Sequence, residues 1–384
     1  MLSNNISFKN FNIKNKDNKI KKRLFLILKE KNQSIESLKK EYKYTFNKNK
    51  IEKFKKSGNF RLIGMGGSIL GAQAIYDFLN FKIKKNFTFI NNLKPKIKKN
   101  SSKKTTNIVV SKSGNTIETI LNANILIKKK DENIFITENK KNYLYILAQK
   151  LKAEIIHHNN FIGGRYSVLS EVGMLPAELM GLKINKFKQL NSLIKNKKFL
   201  NALISNVSST LYFINQKKFN SIIINYDEKS ESLFQWYQQL IAESLGKKNK
   251  GLLPMISSMP KDNHSLMQLY LDGNKNCFFT FFDVFEKNSP KILEHKIFDN
   301  FKYLKKHNLQ SIKLAQKEAT KNVFKAKKIP FRSFEVMKKN EETLGELFTF
   351  FMLETILLGK LMNVNPFDQP AVELIKKETK KLLV

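Results

Sequence analysis

A chain of 384 residues, 41% of them apolar, is long enough for two domains with their own cores and too apolar to be disordered throughout. Its formal net charge of +38 comes from basic residues of which all but four are lysine. They are scattered along the whole chain, which describes a solvated surface and argues against a dedicated nucleic-acid or membrane-binding face.

No run approaches the roughly 18 consecutive apolar residues of a membrane span. The N-terminus has neither an apolar secretory block nor the Arg-rich pattern of a transit peptide, so a cytoplasmic protein is expected. The single cysteine, Cys277, cannot form an internal disulfide and is expected as a buried, inert thiol. Residues 1–45 are polar with two helical stretches and read as a helical lead-in. From Phe60 onward short β-rich runs alternate with helical segments, the pattern of parallel sheets with crossover helices. FRLIG precedes the helical LGAQAIYDFL; FTFIN follows, then NIVVS with TIETILNANILI, NIFIT with NYLYILAQKL, and EIIHH. GGRYSVLSEVGMLPAELMGL reads as a loop entering a helix that stalls or kinks at Pro176. A Lys/Asn-rich stretch from Lys186 to Lys198 marks a boundary, after which SIIINY, SLFQWYQQLIAESLG, GLLPMIS, HSLMQLYL, CFFTFFDV, a Lys-rich helix, KIPFRSFEV and two helices complete the chain. The expected organisation is a lead-in (1–45), a first α/β domain (46–190) and a second with C-terminal helices (191–384).

Two βα loops are suited to anions. GMGGSILG, Gly64 to Gly71, holds four of the 15 glycines and lies between an expected strand and helix, where backbone N–H groups can approach a negative charge. It is no dinucleotide fingerprint, because Ile69 stands where a glycine is needed and Asn91 and Asn92 stand where an acid is needed. Nor is it a nucleotide P-loop or a hydrolase elbow. SKSGNT, Ser111 to Thr116, directly follows NIVV and combines three hydroxyls, an ammonium and a glycine. Asn115 and Glu118 have the spacing of a capping box, which would start the next helix there. Hydroxyls, a lysine and helix N–H groups together suit a phosphate dianion. His157 and His158, adjacent on an expected strand, point to opposite faces and cannot share a metal; no metal or cofactor is expected.

GMGGSILG, SKSGNTIET, GGRYSVLS, ESLGK, DNHSLMQLYLDG and FDQPAVELIK resemble, in order, the signature segments of phosphoglucose isomerases, over Arg61 to Lys376. The resemblance implies an α/β fold of two sugar-isomerase (SIS) subdomains, each a parallel sheet flanked by helices, assembled as a homodimer. It implies that Ser111, Lys112, Ser113 and Thr116 hold the sugar phosphate, with Gly67 and Ser68 beside the substrate and Gln239 and Gln369 lining the pocket. It further implies that Glu243 moves the proton between C1 and C2 and that Arg165 stabilises the enediolate. His264, contributed across the dimer interface, would act with Lys376 in ring opening. Ala371 departs from the glycine common at its position, and could shift the start of the last helix.

The chemistry agrees with these roles. Aldose–ketose isomerisation removes a weakly acidic proton alpha to a carbonyl, so it needs a positioned carboxylate and a cation for the enediolate oxygens. Glu243 ends a helix just before Gly246, with Gln239 one turn earlier on the same face. Arg165 is a permanent cation in a lysine-dominated chain. Taken alone, His264 reads as an ordinary helix histidine, and Lys376 reads as a surface partner of Glu373. The implied activity is interconversion of glucose 6-phosphate and fructose 6-phosphate. The alternatives are a non-catalytic SIS protein that binds a sugar phosphate and an isomerase that also accepts mannose 6-phosphate. A specific nucleic-acid partner, suggested by charge alone, is not expected.

Overall fold

The computed structural model describes residues 2–13, 18–94 and 104–384, so the lead-in is described except for residues 1 and 14–17. Among the described residues, ten strands form two five-stranded sheets. The first sheet is wholly parallel, with order β3-β2-β4-β5-β6. Its strands are β2 (Asn59–Gly64), β3 (Asn86–Ile90), β4 (Thr106–Val110), β5 (Glu132–Thr137) and β6 (Glu154–His157). The second comprises β7 (Asn220–Asn225), β8 (Leu253–Ser258), β9 (Cys277–Val284) and β10 (Phe331–Val336), in the order β10-β9-β7-β8, all parallel. The interior strands β4, β7 and β9 read as near-continuous apolar runs because helices cover both faces of a parallel sheet.

The N-terminal lead-in is not wholly helical. Residues Ile6–Lys9 form an edge strand, β1, antiparallel to β10 and pairing Ile6 with Val336 and Phe8 with Phe334. Ile6 and Phe8 face the core while Ser7 and Lys9 face outward, the period-2 pattern compressed into four residues. The helix Asn18–Lys29 follows. Helix Glu171–Leu179 runs through Pro176 for one further turn instead of stopping there. Cys277 is half-buried at the first position of β9, and burial pushes its thiol up.

One continuous core joins both sheets, with Phe60 and Leu62 of β2 in the same cluster as Phe278 of β9 and Phe334 of β10. The helix Glu341–Leu361 runs through this core and is buried at nearly every position, which explains a sequence (LGELFTFFMLETILLG) that is apolar on every face. Helix Glu231–Leu245, which follows β7, packs against it and also against helix Leu70–Phe78 of the first unit. Its C-terminal turn is thereby placed at the carboxyl edge of the first sheet, where open α/β sheets hold ligands. Among the described residues, no helix is long and apolar enough to cross a membrane.

Candidate active site

The loop after β2 is glycine-rich because two other segments press on it. Gly66 has φ +52°, and a Cβ there would lie 2.7 Å from the amide nitrogen of Gln239. A Cβ on Gly67 would lie 2.2 Å from the carbonyl carbon of Gly164 and 2.5 Å from the backbone nitrogen of Arg165. The loop thus touches both the helix that carries Glu243 and the 3-10 segment Gly164–Leu169 that carries Arg165. Ser68 closes the short 3-10 turn Gly66–Ser68 at the same edge. Since the atoms opposing Gly67 are backbone, Gly67→Ala is expected to lower the unfolding free energy by about 1–3 kcal/mol. Urea denaturation measures the loss, and an unchanged midpoint would show that the loop can yield.

Arg165 is 2% exposed and stands at the centre of the site. Its Nε donates to Ser244 Oγ at 2.7 Å. Nη1 donates to Glu243 Oε2 at 3.2 Å and to Gln369 Oε1 at 2.8 Å, and Nη2 donates to the carbonyls of Pro366 at 2.7 Å and Asp368 at 2.9 Å. The backbone is fixed as well, because Trp236 Nε1 donates to the Arg165 carbonyl at 3.1 Å. Glu243, in the last turn of its helix, receives the Gln239 amide at 2.8 Å on its other oxygen. Its side chain remains 25% exposed, so the carboxylate is held by a cation and an amide yet opens to solvent. It faces a cleft of about 800 Å³ that Lys247, Asp368, Gln369 and Pro370 also line. Lys247 pairs with Asp368 at 2.9 Å, ties down the Asn365 carbonyl, and holds the Asp368 carboxyl below the usual carboxylate range.

The second anion-ready loop follows β4. Ser111 and Thr116 share a hydroxyl–hydroxyl bond of 2.8 Å across the loop. Gly114 has φ +65°, and a Cβ there would fall 1.8 Å from Asn142 Oδ1, so both conformation and space demand glycine. Lys112 Nζ donates to the Asn160 carbonyl at 2.7 Å and lies 3.6 Å from Glu138. Ser113 Oγ accepts from the Asn115 N–H at 3.3 Å. The expected capping box does not form. The helix is Ile117–Leu126 with Thr116 at the N-cap, and Thr116 makes no side-chain cap; its hydroxyl meets that of Ser111 instead. Asn115 instead accepts from the Tyr143 N–H. The first turn of this helix therefore keeps N–H groups without a side-chain partner, the arrangement that receives an anion.

His158, just past β6, is buried beside this loop. Its backbone N–H donates to the Thr137 carbonyl at 2.8 Å and its Nδ1–H to the Asn159 carbonyl at 2.9 Å. Burial, above all, depresses its pKa to about 4. Below the ordinary histidine range the unfolded chain takes up a proton that the folded chain refuses. Stability should therefore fall as pH drops from about 6.5 towards about 4, by about 3 kcal/mol at most from this group. Urea titrations across that range should show a shallower fall in His158→Asn; parallel slopes would remove His158 as the cause.

Of the residues singled out in the sequence, Gly67, Arg165, Gln239, Glu243 and Gln369 converge, and Ser111, Lys112, Ser113 and Thr116 share one loop. His264 and Lys376 do not join the cluster within one chain. His264 ends the short 3-10 turn Lys261–His264, exposed, its side chain with no hydrogen bond or ion pair among the described residues. Its loop is held by Asp262, whose carboxylate accepts from Ser257, Ser265 and the Ser258 N–H. Lys376 lies exposed on the terminal helix Val372–Leu383, paired with Glu373 at 2.6 Å. Three residues that received no role from the sequence, Tyr166, Ser244 and Lys247, are part of the site. Each adjoins or lies within a segment already singled out, which was the signal available.

Two units built on largely parallel sheets flanked by helices, with an anion-ready loop and an Arg–Glu pair at the carboxyl ends of the strands, give the chain an α/β fold of the sugar-isomerase (SIS) type. The fold matches that of a hypothetical protein from Thermus thermophilus with a TM-score of 0.82, at 23% identity, covering 95% of this chain and 94% of that one. It matches the structure of a glucose-6-phosphate isomerase from Chlamydia trachomatis with a TM-score of 0.70, at 16% identity, covering 95% and 77%. In sequence, the chain is 33% identical over 353 residues to the glucose-6-phosphate isomerase of Methanocaldococcus jannaschii, covering 87% of this chain and 86% of that relative. It is also 33% identical over 377 residues to that of Mycoplasmopsis pulmonis, covering 88% and 87%. The phosphoglucose isomerase family profile matches residues 30–383, and the chain belongs to that family.

Proposed function

We propose that this chain interconverts glucose 6-phosphate and fructose 6-phosphate through an open-chain enediol. The observation that carries the reading is the half-open Glu243 carboxylate held between Arg165 and Gln239 at the edge of the first sheet. In the forward direction Glu243 takes the C2 proton of the open-chain aldose. The C2–H electron pair forms the C1–C2 double bond, and the carbonyl π pair moves onto O1 as the enediolate charge. Arg165 lies beside the base as a fixed cation for that charge. A proton passes from O2 to O1 of the enediolate, and the same carboxyl then returns its proton to C1 as an O2 electron pair closes the C2 ketone, so atoms and charge balance. Ser111, Lys112, Ser113 and Thr116, with the first turn of helix Ile117–Leu126, receive the phosphate, and the ammonium of Lys112 trades its present carbonyl and carboxylate for it. Gly67 and Ser68 border the sugar.

The ring-opening groups are His264 of a second copy and Lys376, which makes a homodimer the working unit. The exposure of both side chains in the single chain supports this arrangement. The cytoplasm is the compartment that suits a soluble sugar-phosphate substrate. A coupled assay that reduces NADP as glucose 6-phosphate forms from fructose 6-phosphate tests the activity, and absence of turnover by the folded protein would overturn it. Specific activity should fall on dilution in step with dissociation measured by analytical ultracentrifugation. Full activity of an isolated monomer would contradict the shared site.

A further inference from the structure

Arg165 has no donor to spare. A guanidinium carries five N–H groups, and here all five are committed: one on Nε, two on Nη1 and two on Nη2. The Nη1 bonds, to Glu243 and Gln369, face the cleft, whereas those of Nη2 end on main-chain carbonyls. The Nε bond ends on Ser244, which is 0% exposed. What lies beyond Ser244 gives that bond a direction. Its Oγ sits 2.8 Å from the hydroxyl of Tyr166, also 0% exposed, and the Tyr166 hydroxyl donates to the Pro366 carbonyl at 3.1 Å. With the tyrosine proton directed to that carbonyl, the serine proton is left for the tyrosine oxygen, and a serine lone pair receives the Arg165 Nε–H. The sequence of donors is then Arg165 Nε–H, Ser244 Oγ–H, Tyr166 Oη–H and the Pro366 carbonyl. That carbonyl also receives Arg165 Nη2, so the relay closes into a ring around the guanidinium. The Tyr166 ring lies 5.2 Å below the guanidinium carbon, and burial keeps its hydroxyl protonated.

We propose that Ser244 and Tyr166 are positioning residues, a two-hydroxyl relay that orients the Arg165 guanidinium so that Nη1 alone faces the reacting carbons. The kinetic consequence rests on the isomerase reading; the orientation itself does not. When the enediolate oxygen forms, the donor it takes is one of the two Nη1 bonds, and the relay prevents the ring from rotating to offer another. Such an arrangement affects the transition state more than substrate binding.

Two measurements test it. In the coupled assay, Ser244→Ala and Tyr166→Phe should each lower kcat about tenfold with KM nearly unchanged. The double variant should lose no more than Ser244→Ala alone, because both act through the same Nε–H. Independently of any activity, the chain has only four arginines, so the Nε–Hε signals in a 15N-arginine spectrum are few, and Arg165→Lys identifies that of Arg165. Its Hε should exchange slowly with solvent in the wild type and markedly faster in Ser244→Ala and Tyr166→Phe. Should Ser244→Ala not fold, Tyr166→Phe alone decides both arms. Unchanged kcat, additive losses in the double variant, or unaltered Hε exchange would each overturn the relay. A wild-type protein without isomerase activity but with the expected exchange pattern would overturn the activity and leave the relay standing.

Discussion

Glu243→Gln is expected to reduce turnover by about 10²- to 10⁴-fold while leaving the fold intact, the range a positioned general base contributes. The geometry explains why the effect should fall on chemistry alone. The amide keeps the length of the carboxylate, and its oxygen can still accept from Arg165 Nη1, now 3.2 Å away. Its new NH2 would confront the Gln239 amide nitrogen, which donates to this position at 2.8 Å. Gln239 resolves the conflict by turning its own amide over, since its buried Oε1 has no hydrogen-bond partner among the described residues and can accept the new donor. What is lost is the basic oxygen, and KM should move little. The coupled assay with matched circular dichroism melts measures this. A variant that retains near-normal turnover would remove Glu243 as the base.

Glu354→Leu is the substitution expected to cost most in stability, roughly 3–5 kcal/mol. Arg332 and Glu354 are each 1% exposed and pair within the second unit. Arg332 also donates to Thr280 at 2.9 Å and to Asn206, and the Tyr237 hydroxyl accepts from its Nη2 at 3.3 Å. Removing the carboxylate leaves a guanidinium in the core with neutral partners only. Arg332→Met combined with Glu354→Leu should recover much of the loss, because a buried pair replaced as a unit by apolar groups leaves no uncompensated charge. Urea unfolding of the single and double variants measures both. A double variant as unstable as the single would mean that packing around Arg332, and not its charge, sets the cost.

The strands and helices from Phe60 onward were legible because the period-2 and period-3.6 patterns are long and punctuated by glycine. The misreadings are short and local. The strand Ile6–Lys9 is a four-residue edge whose partner, β10, lies more than 300 residues away in sequence, so no local pattern could announce it. The capping box at Asn115 had the right spacing, but the helix begins one residue later, with Thr116 at the N-cap, and the Tyr143 N–H claimed the Asn115 side chain while Ser111 met the Thr116 hydroxyl. Both competitors are set by the loop's fold and by a neighbouring helix. Among the site residues, Glu243, Arg165, Gln239 and Gln369 were readable as a set only through the order of their signature segments. Ser244 and Tyr166 were hidden in plain view, since a serine and a tyrosine beside charged residues are unremarkable until burial places each hydroxyl between two polar partners.

The sequence by itself determined the alternation of strand and helix, the two anion-ready loops, and the residue types at the site, because these depend on local periodicity and on which side chains carry charge. Tertiary structure decided which of those residues meet. Packing of helix Glu231–Leu245 against helix Leu70–Phe78 brings Glu243 and Gln239 to the glycine loop, and the segment that bends at Pro366 brings Gln369 to Arg165. It also decided that all five donors of Arg165 are spent while His264 and Lys376 remain at the surface. Hydrogen-bond saturation and exposure belong to the assembled chain, since each depends on groups hundreds of residues apart being desolvated together.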